Sequence, residues 1–133
     1  MIEHFTPGQA FFSSDSPRHA FSVVFEDDGE TAYFYAVNRG MAENQIVDAL
    51  HIYNVESVAD KNRESELEIV WSPDNLKAAL LINHYAHAVF DFDKKRGFCR
   101  MEFPKSSKGS DHAWTEPHLW DDAAMNDFDR ESS

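Results

Sequence analysis

The sequence predicts a mainly β protein: an antiparallel meander of about seven strands, packed as a sandwich or curled into an open barrel, with a short C-terminal helix. Three observations carry this expectation. Between Ala20 and Phe103 the apolar runs are short, rich in β-branched and aromatic residues, and alternate with polar positions at a period of two. Turn chemistry separates them at Asp28-Gly29, Ser72-Pro73-Asp74-Asn75 and Lys94-Lys95-Arg96-Gly97. Finally, 133 residues that are 42% hydrophobic, with 11 Phe, suffice for one core and one domain.

The first hairpin is read in AFSVVFEDDGETAYFYAV, residues 20–37. A two-residue type I′ turn at Asp28-Gly29 sets Asp27 opposite Glu30. Phe25/Ala32, Val23/Phe34 and Phe21/Ala36 then share one apolar face, and Val24/Tyr33, Ser22/Tyr35 and Ala20/Val37 share the other. That second face is only partly polar, which places the hairpin in the middle of a sheet or covers it on both sides. After a polar connection, IVDALHIYNV fits a helical face through Ile46, Ala49, Leu50 and Tyr53. It fits a strand face through Val47, Ala49, His51, Tyr53 and Val55, and the Ile-Tyr-Asn-Val ending favours the strand. Residues 56–66 form a charged loop. Leu67, Ile69 and Trp71 make a half-buried strand that Pro73 stops.

The next hairpin pairs Ile82 with His87 around residues 83–86, setting Leu81 opposite Ala88 and Ala79 opposite Phe90, both on the core face. In the last, Asp93 faces Phe98 around Lys94-Lys95-Arg96-Gly97. The pairs Phe92/Cys99, Asp91/Arg100, Phe90/Met101, Val89/Glu102 and Ala88/Phe103 follow, with every apolar pair on one face. This register makes Cys99 a small buried hydrophobe rather than a nucleophile, and Asp91 with Arg100 a cross-strand ion pair.

Residues 1–110 are thus read as a β domain and residues 111–133 as an acidic C-terminal segment, joined by the Ser-, Gly- and Lys-rich stretch at 105–111. Thr115 is a candidate helix cap with Pro117 in the first turn, and Trp120, Ala124 and Phe128 recur at helical spacing. The segment is expected to be helical and to dock on the β domain. The alternative is a partner-binding segment anchored by Trp114, Trp120 and Phe128.

Acidic residues outnumber basic ones 24 to 12, and residues 111–133 hold seven acids and one base, half of the net −12. Such a surface repels phosphate backbones, so nucleic acid is excluded as an expected partner and a basic one is favoured. No apolar run approaches the ~20 residues of a membrane span, and MIEHFTPGQA has no signal-peptide character. One cysteine allows no internal disulfide, so a soluble, cytoplasmic chain is expected.

Asn83 to Phe103 sets out His84, His87, Asp91 and Asp93, a combination that suggests a metal or acid/base site. On an extended strand, however, His87 and Asp91 stand about 13 Å apart. Ligand bonds of about 2 Å cannot span that distance, so neither a metal nor a cofactor is expected. The chain also lacks a Gly-rich phosphate loop, a nucleophile elbow and paired cysteines. No catalytic residue is therefore assigned. The expected function is non-catalytic binding of a protein or small ligand, with His51, Tyr53, Trp71, His87 and Arg100 as candidate contacts on a partly polar sheet face. The alternative is a small hydrolase or isomerase that brings His51 or His87 to a carboxylate.

The stretches VVFEDDGETAYFYA, DALHIYNV, HAVFDF and RGFCR together resemble a family of short bacterial proteins of unknown function, over roughly Ala20 to Pro104. The resemblance implies no substrate, cofactor or catalytic residue. Members often carry Asn-Gly-Tyr-Pro where this chain has Asn83-His84-Tyr85-Ala86, so His84 departs from the pattern and a family-wide catalytic role for it is disfavoured.

Overall fold

The computed structural model describes residues 2–43, 45–58, 63–100, 119–125 and 128. Among them, nine strands form two antiparallel sheets. One sheet has the order β2-β3-β4-β5, built from Ala10–Asp15, Phe21–Asp27, Thr31–Asn38 and Ile46–Asn54. The other has the order β1-β6-β7-β8-β9, built from Ile2–Phe5, Ser65–Trp71, Lys77–Ile82, Tyr85–Asp91 and Arg96–Cys99. Each sheet is a meander of four successive strands, and β1 is added at the outer edge of β6. The seven expected strands are β3 to β9. β1 and β2 carry weaker patterns because they are edge strands: only Phe5 of β1 is buried, and β2 merely alternates between half-buried and exposed.

The sheets pack as a sandwich through aromatic pairs that cross the interior. Phe5 meets Phe25 edge-on at 5.5 Å, Phe34 stacks on Phe90 at 5.1 Å, and Phe21 stacks on Phe92 at 4.4 Å. Such pairs add about 0.5–1.5 kcal/mol each beyond their buried area. Val23, Leu50, Leu67, Ile69 and Leu80 fill the space between them. Asp27 is an inward-facing polar exception. Its carboxylate accepts from Gly8 N at 2.7 Å, Gly29 N at 2.9 Å and the Tyr53 hydroxyl at 2.5 Å, tying two turns and β5 together.

Inside and outside are assigned as the sequence predicts in the first and last hairpins, but in β7 Ala79 and Leu81, expected in the core, face outward and Ala78, Leu80 and Ile82 face inward, and the offsets of all three hairpins differ from expectation. Asp27 pairs with Ala32, Phe25 with Phe34 and Val23 with Ala36, two residues away from the predicted register. The loop is longer because the side chains of Asp27 and Asp28 bond to its backbone: Asp28 accepts from both Glu30 N and Thr31 N. These bonds to the charged form also hold the Asp28 carboxyl below its usual range. Between β7 and β8 the turn has two residues rather than four. Asn83 and His84 sit at φ 52° and 69°, Ile82 pairs with Tyr85, and an irregularity at His87 sets Ala78 rather than Ala79 opposite Phe90.

Between β8 and β9 the loop is Phe92 to Lys95, so Ala88 pairs with Cys99, Phe90 with Gly97, and Asp91 with Arg96 instead of Arg100. Asp91 caps this loop by accepting Lys94 N at 3.0 Å. Gly97, expected in the turn, lies in β9, where a Cβ would come within 2.9 Å of Asp48 Oδ2 and 3.0 Å of Phe90. Cys99 is buried, as expected, and its thiol lies 3.0 Å from the His51 carbonyl.

The outer face of β7, β8 and β9 is also apolar. Ala79, Val89 and Phe98 form a second cluster with Phe128, bordered by Trp120, Ala124 and Met125. Asp122–Met125 is a 3-10 turn. The expectations for Trp114, Thr115, Pro117, the connection at 105–111, and the pairs of Met101, Glu102 and Phe103 lie outside the described residues. Among the described residues, no helix is long and apolar enough to cross a membrane.

Candidate functional site

The five residues expected to share a ligand-binding face do not come together. His51 lies on the outer face of the four-stranded sheet, 5.4 Å from the Tyr33 ring, with Nε2 3.0 Å from Asn54 Oδ1. Tyr53 turns inward, packs near Phe25 and donates to Asp27. Burial, reinforced by the bond and charge of Asp27, raises its phenol well above the ordinary range. Trp71 bridges the two sheets, donating to Ser14 Oγ at 3.0 Å and stacking with Phe92.

His87 and Arg100 do meet, on the outer face of the five-stranded sheet, where Arg100 N donates to the His87 carbonyl at 3.0 Å. The guanidinium lies between two rings, 4.5 Å from Tyr85 and 4.0 Å from Trp120. Its Nε donates to the Ala86 carbonyl, and Asp122 lies 4.0 Å from Nη1. Arg100 is therefore engaged by its own chain. Burial, and secondarily the Arg100 charge, lowers the His87 pKa, so this imidazole is held neutral. Trp120 and Phe128 occupy the same side of the molecule.

A constellation that the sequence reading missed lies on the outer face of the four-stranded sheet. With Ala32, Phe34 and Ala36 inside, β4 must point Tyr33 and Tyr35 outward. The ladders then align one residue from each strand: Phe11 opposite Glu26, Glu26 opposite Tyr33, and Tyr33 opposite His51. A row of four strands at about 4.8 Å spacing spans about 14 Å. The row below it is Ser13, Val24, Tyr35 and Ala49. Tyr33 and Tyr35 lie nearly parallel, 5.9 Å apart, while Phe11 is 64% exposed, more than any other large apolar side chain among the described residues. Burial raises the Tyr35 pKa, with further contributions from Glu26, Tyr33 and Asp28. The face thus sets a carboxylate among aromatic rings, with further negative charge nearby.

The described clefts offer no comparable chemistry. One of about 120 Å³ lies between Lys77, Asp91, Lys94 and the C-terminal Asp121 and Ala124. Another, broad and shallow, lies along Gly29 to Thr31 and Asn54 to Ser57. For metal ligation, Glu66, Glu68 and His84 have suitable spacing.

The comparisons with known proteins agree with the resemblance seen in the sequence. The model of a family described as uncharacterized proteins conserved in bacteria, DUF2251, matches residues 5–129. The chain belongs to that family. An uncharacterized protein of Haemophilus influenzae is 42% identical over 114 residues, covering 86% of this chain and 69% of the relative. No solved structure matches the chain. The DUF2251 match takes in every strand from β2 to β9, hence all four residues of the outer row, but membership brings no activity with it.

Proposed function

We propose that the protein is a non-catalytic binding module whose outer row, through Phe11, Glu26 and Tyr33 with Tyr35 beside them, receives a cationic segment of a protein partner. The observation that carries this reading is the placing of Glu26 between Phe11 and Tyr33 in neighbouring strands. Lysine and arginine side chains are attracted both to a carboxylate and to the faces of aromatic rings, and each ring contact contributes about 0.5–1 kcal/mol at an exposed site. The net charge of −12 favours the approach of such a segment over an anionic one. The hydrolase or isomerase alternative is less well supported. The His51 ring is bonded to Asn54, and His87 is held neutral beside Arg100 rather than activated by a carboxylate.

The test is an NMR titration of the labelled full chain with a short oligolysine peptide and, in parallel, an oligoglutamate peptide. Shifts confined to Phe11, Glu26, Tyr33, Tyr35 and their neighbours, seen with the cationic peptide and lost in Glu26→Gln and Tyr33→Ala, support the reading. Shifts confined to the acidic C-terminal segment, or none, refute it.

A further inference from the structure

The geometry points to a transition-metal site at the β7–β8 turn end of the other sheet, formed by Glu66, Glu68 and His84 with His4 beside them, and suited to Zn²⁺. This inference is independent of the cation-binding reading, because it uses different residues on the opposite sheet.

Glu66 and Glu68 alternate outward from β6, whose Leu67 and Ile69 fill the core. The Asn83-His84 turn is clamped over Glu66 by two hydrogen bonds to the Glu66 backbone: Asn83 N donates to the Glu66 carbonyl at 2.7 Å, and Glu66 N donates to the Asn83 side-chain Oδ1 at 2.9 Å. From the other side, β1 places His4 directly opposite Glu66 in the ladder. Two imidazoles therefore address the two oxygens of one carboxylate. His84 Nε2 lies 3.3 Å from Glu66 Oε2, and His4 Nε2 lies 3.7 Å from Oε1. One donor atom each from Glu66, Glu68 and His84 falls within a mutual 4.8 Å.

The shortest of these spacings matches coordination chemistry, and Glu68 is near enough to close onto the same ion. Donors held about 2.0–2.1 Å from one ion at tetrahedral angles lie about 3.3 Å apart, the observed His84–Glu66 separation. Mixed imidazole and carboxylate donors suit zinc, whereas calcium and magnesium prefer oxygen ligands alone. The two glutamates and His84 leave a position open for water. The backbone at His84 agrees with a role for its side chain. Its φ of 69° is the conformation for which glycine is the favoured residue in a type I′ turn, so the chain holds an imidazole here at a conformational cost.

The experiment is calorimetric titration of Zn²⁺ into the full chain and into His84→Gly, Glu66→Gln and the distant His19→Ala. His84→Gly retains the turn, since glycine adopts positive φ freely, so loss of binding there is not loss of fold. One zinc per chain is expected. Binding should be weakened at least about tenfold in His84→Gly and Glu66→Gln, since even second-shell changes cost that much, and unchanged in His19→Ala. The His84 ring signals should shift on zinc addition in the wild type. Absence of zinc binding to the wild type, or equal binding by His84→Gly and Glu66→Gln, overturns the assignment.

Discussion

Substituting Gly97 by alanine tests how closely the two sheets approach at β9. The added methyl would meet Asp48 Oδ2 at 2.9 Å, Phe90 Cε1 at 3.0 Å and Leu50 Cδ2 at 3.2 Å. All three neighbours belong to side chains that are 0–1% exposed, so none has solvent to move into. Relief requires β9 to shift or Phe90 to leave its stack on Phe34, and overpacking of this kind costs about 1–3 kcal/mol. Unfolding entropy of about 2.1 cal/mol/K per residue gives about 0.28 kcal/mol/K for this chain, so a cost of about 2 kcal/mol lowers Tm by about 7 °C. Thermal and urea unfolding of Gly97→Ala, with Gly40→Ala as control, measure it. At Gly40 the new methyl meets the movable Asn38 side chain at 3.2 Å, and the expected change is within about 0.5 kcal/mol. Equal Tm values for the two variants would refute the argument that Gly97 is required by packing.

Three further outcomes follow from the same structure. Tyr53→Phe removes one of three donors to the buried Asp27 carboxylate and should cost about 1–3 kcal/mol in urea unfolding; no change would mean that water replaces the hydroxyl. Because His87 is held neutral in the fold, the unfolded chain takes up its proton first, near pH 6.5. Its contribution is fully present above that pH and is lost as pH falls below it, so wild-type Tm should fall more steeply from pH 7 to 5 than that of His87→Gln. Phe128→Ala should destabilise the full chain by about 2–4 kcal/mol, since Phe128 is 7% exposed against Ala79, Val89 and Phe98. An unchanged melting curve would mean that this contact does not hold in solution.

The distinction between core and surface was legible in the sequence because it depends only on parity. Phe25, Phe34, Phe90, Phe92 and Cys99 all face inward as their alternation requires, although two of the hairpins are offset by two and four residues from the simplest reading. An even offset leaves every side chain on its own face. The offsets themselves were not legible, because side chains set them: the carboxylates of Asp27, Asp28 and Asp91 recruit loop amides and lengthen or move the turns. Gly97 misled for a related reason. A glycine beside Lys94-Lys95-Arg96 has the composition of a turn, and only the approach of Asp48 from the other sheet shows that packing requires it.

The candidate surface depends on those same offsets, which explains why its residues were mostly missed. The row of Phe11, Glu26, Tyr33 and His51 draws one residue from each of four strands, so three registers must be right at once. The simplest register of the first hairpin sets Tyr33 opposite Val24, and the weak alternation of β2 does not mark it as a strand, so in that register Glu26 has neither ring beside it. The available signal was the partly polar second face of β3 and β4, whose tyrosines are too many for a purely solvated surface. The zinc site has the same origin. Glu66 and His84 are eighteen residues apart and meet only because a two-residue turn brings β8 back beside β7, with Asn83 bonded to Glu66 of β6. The short turn that holds His84 at positive φ is thus also what gives it a carboxylate to meet.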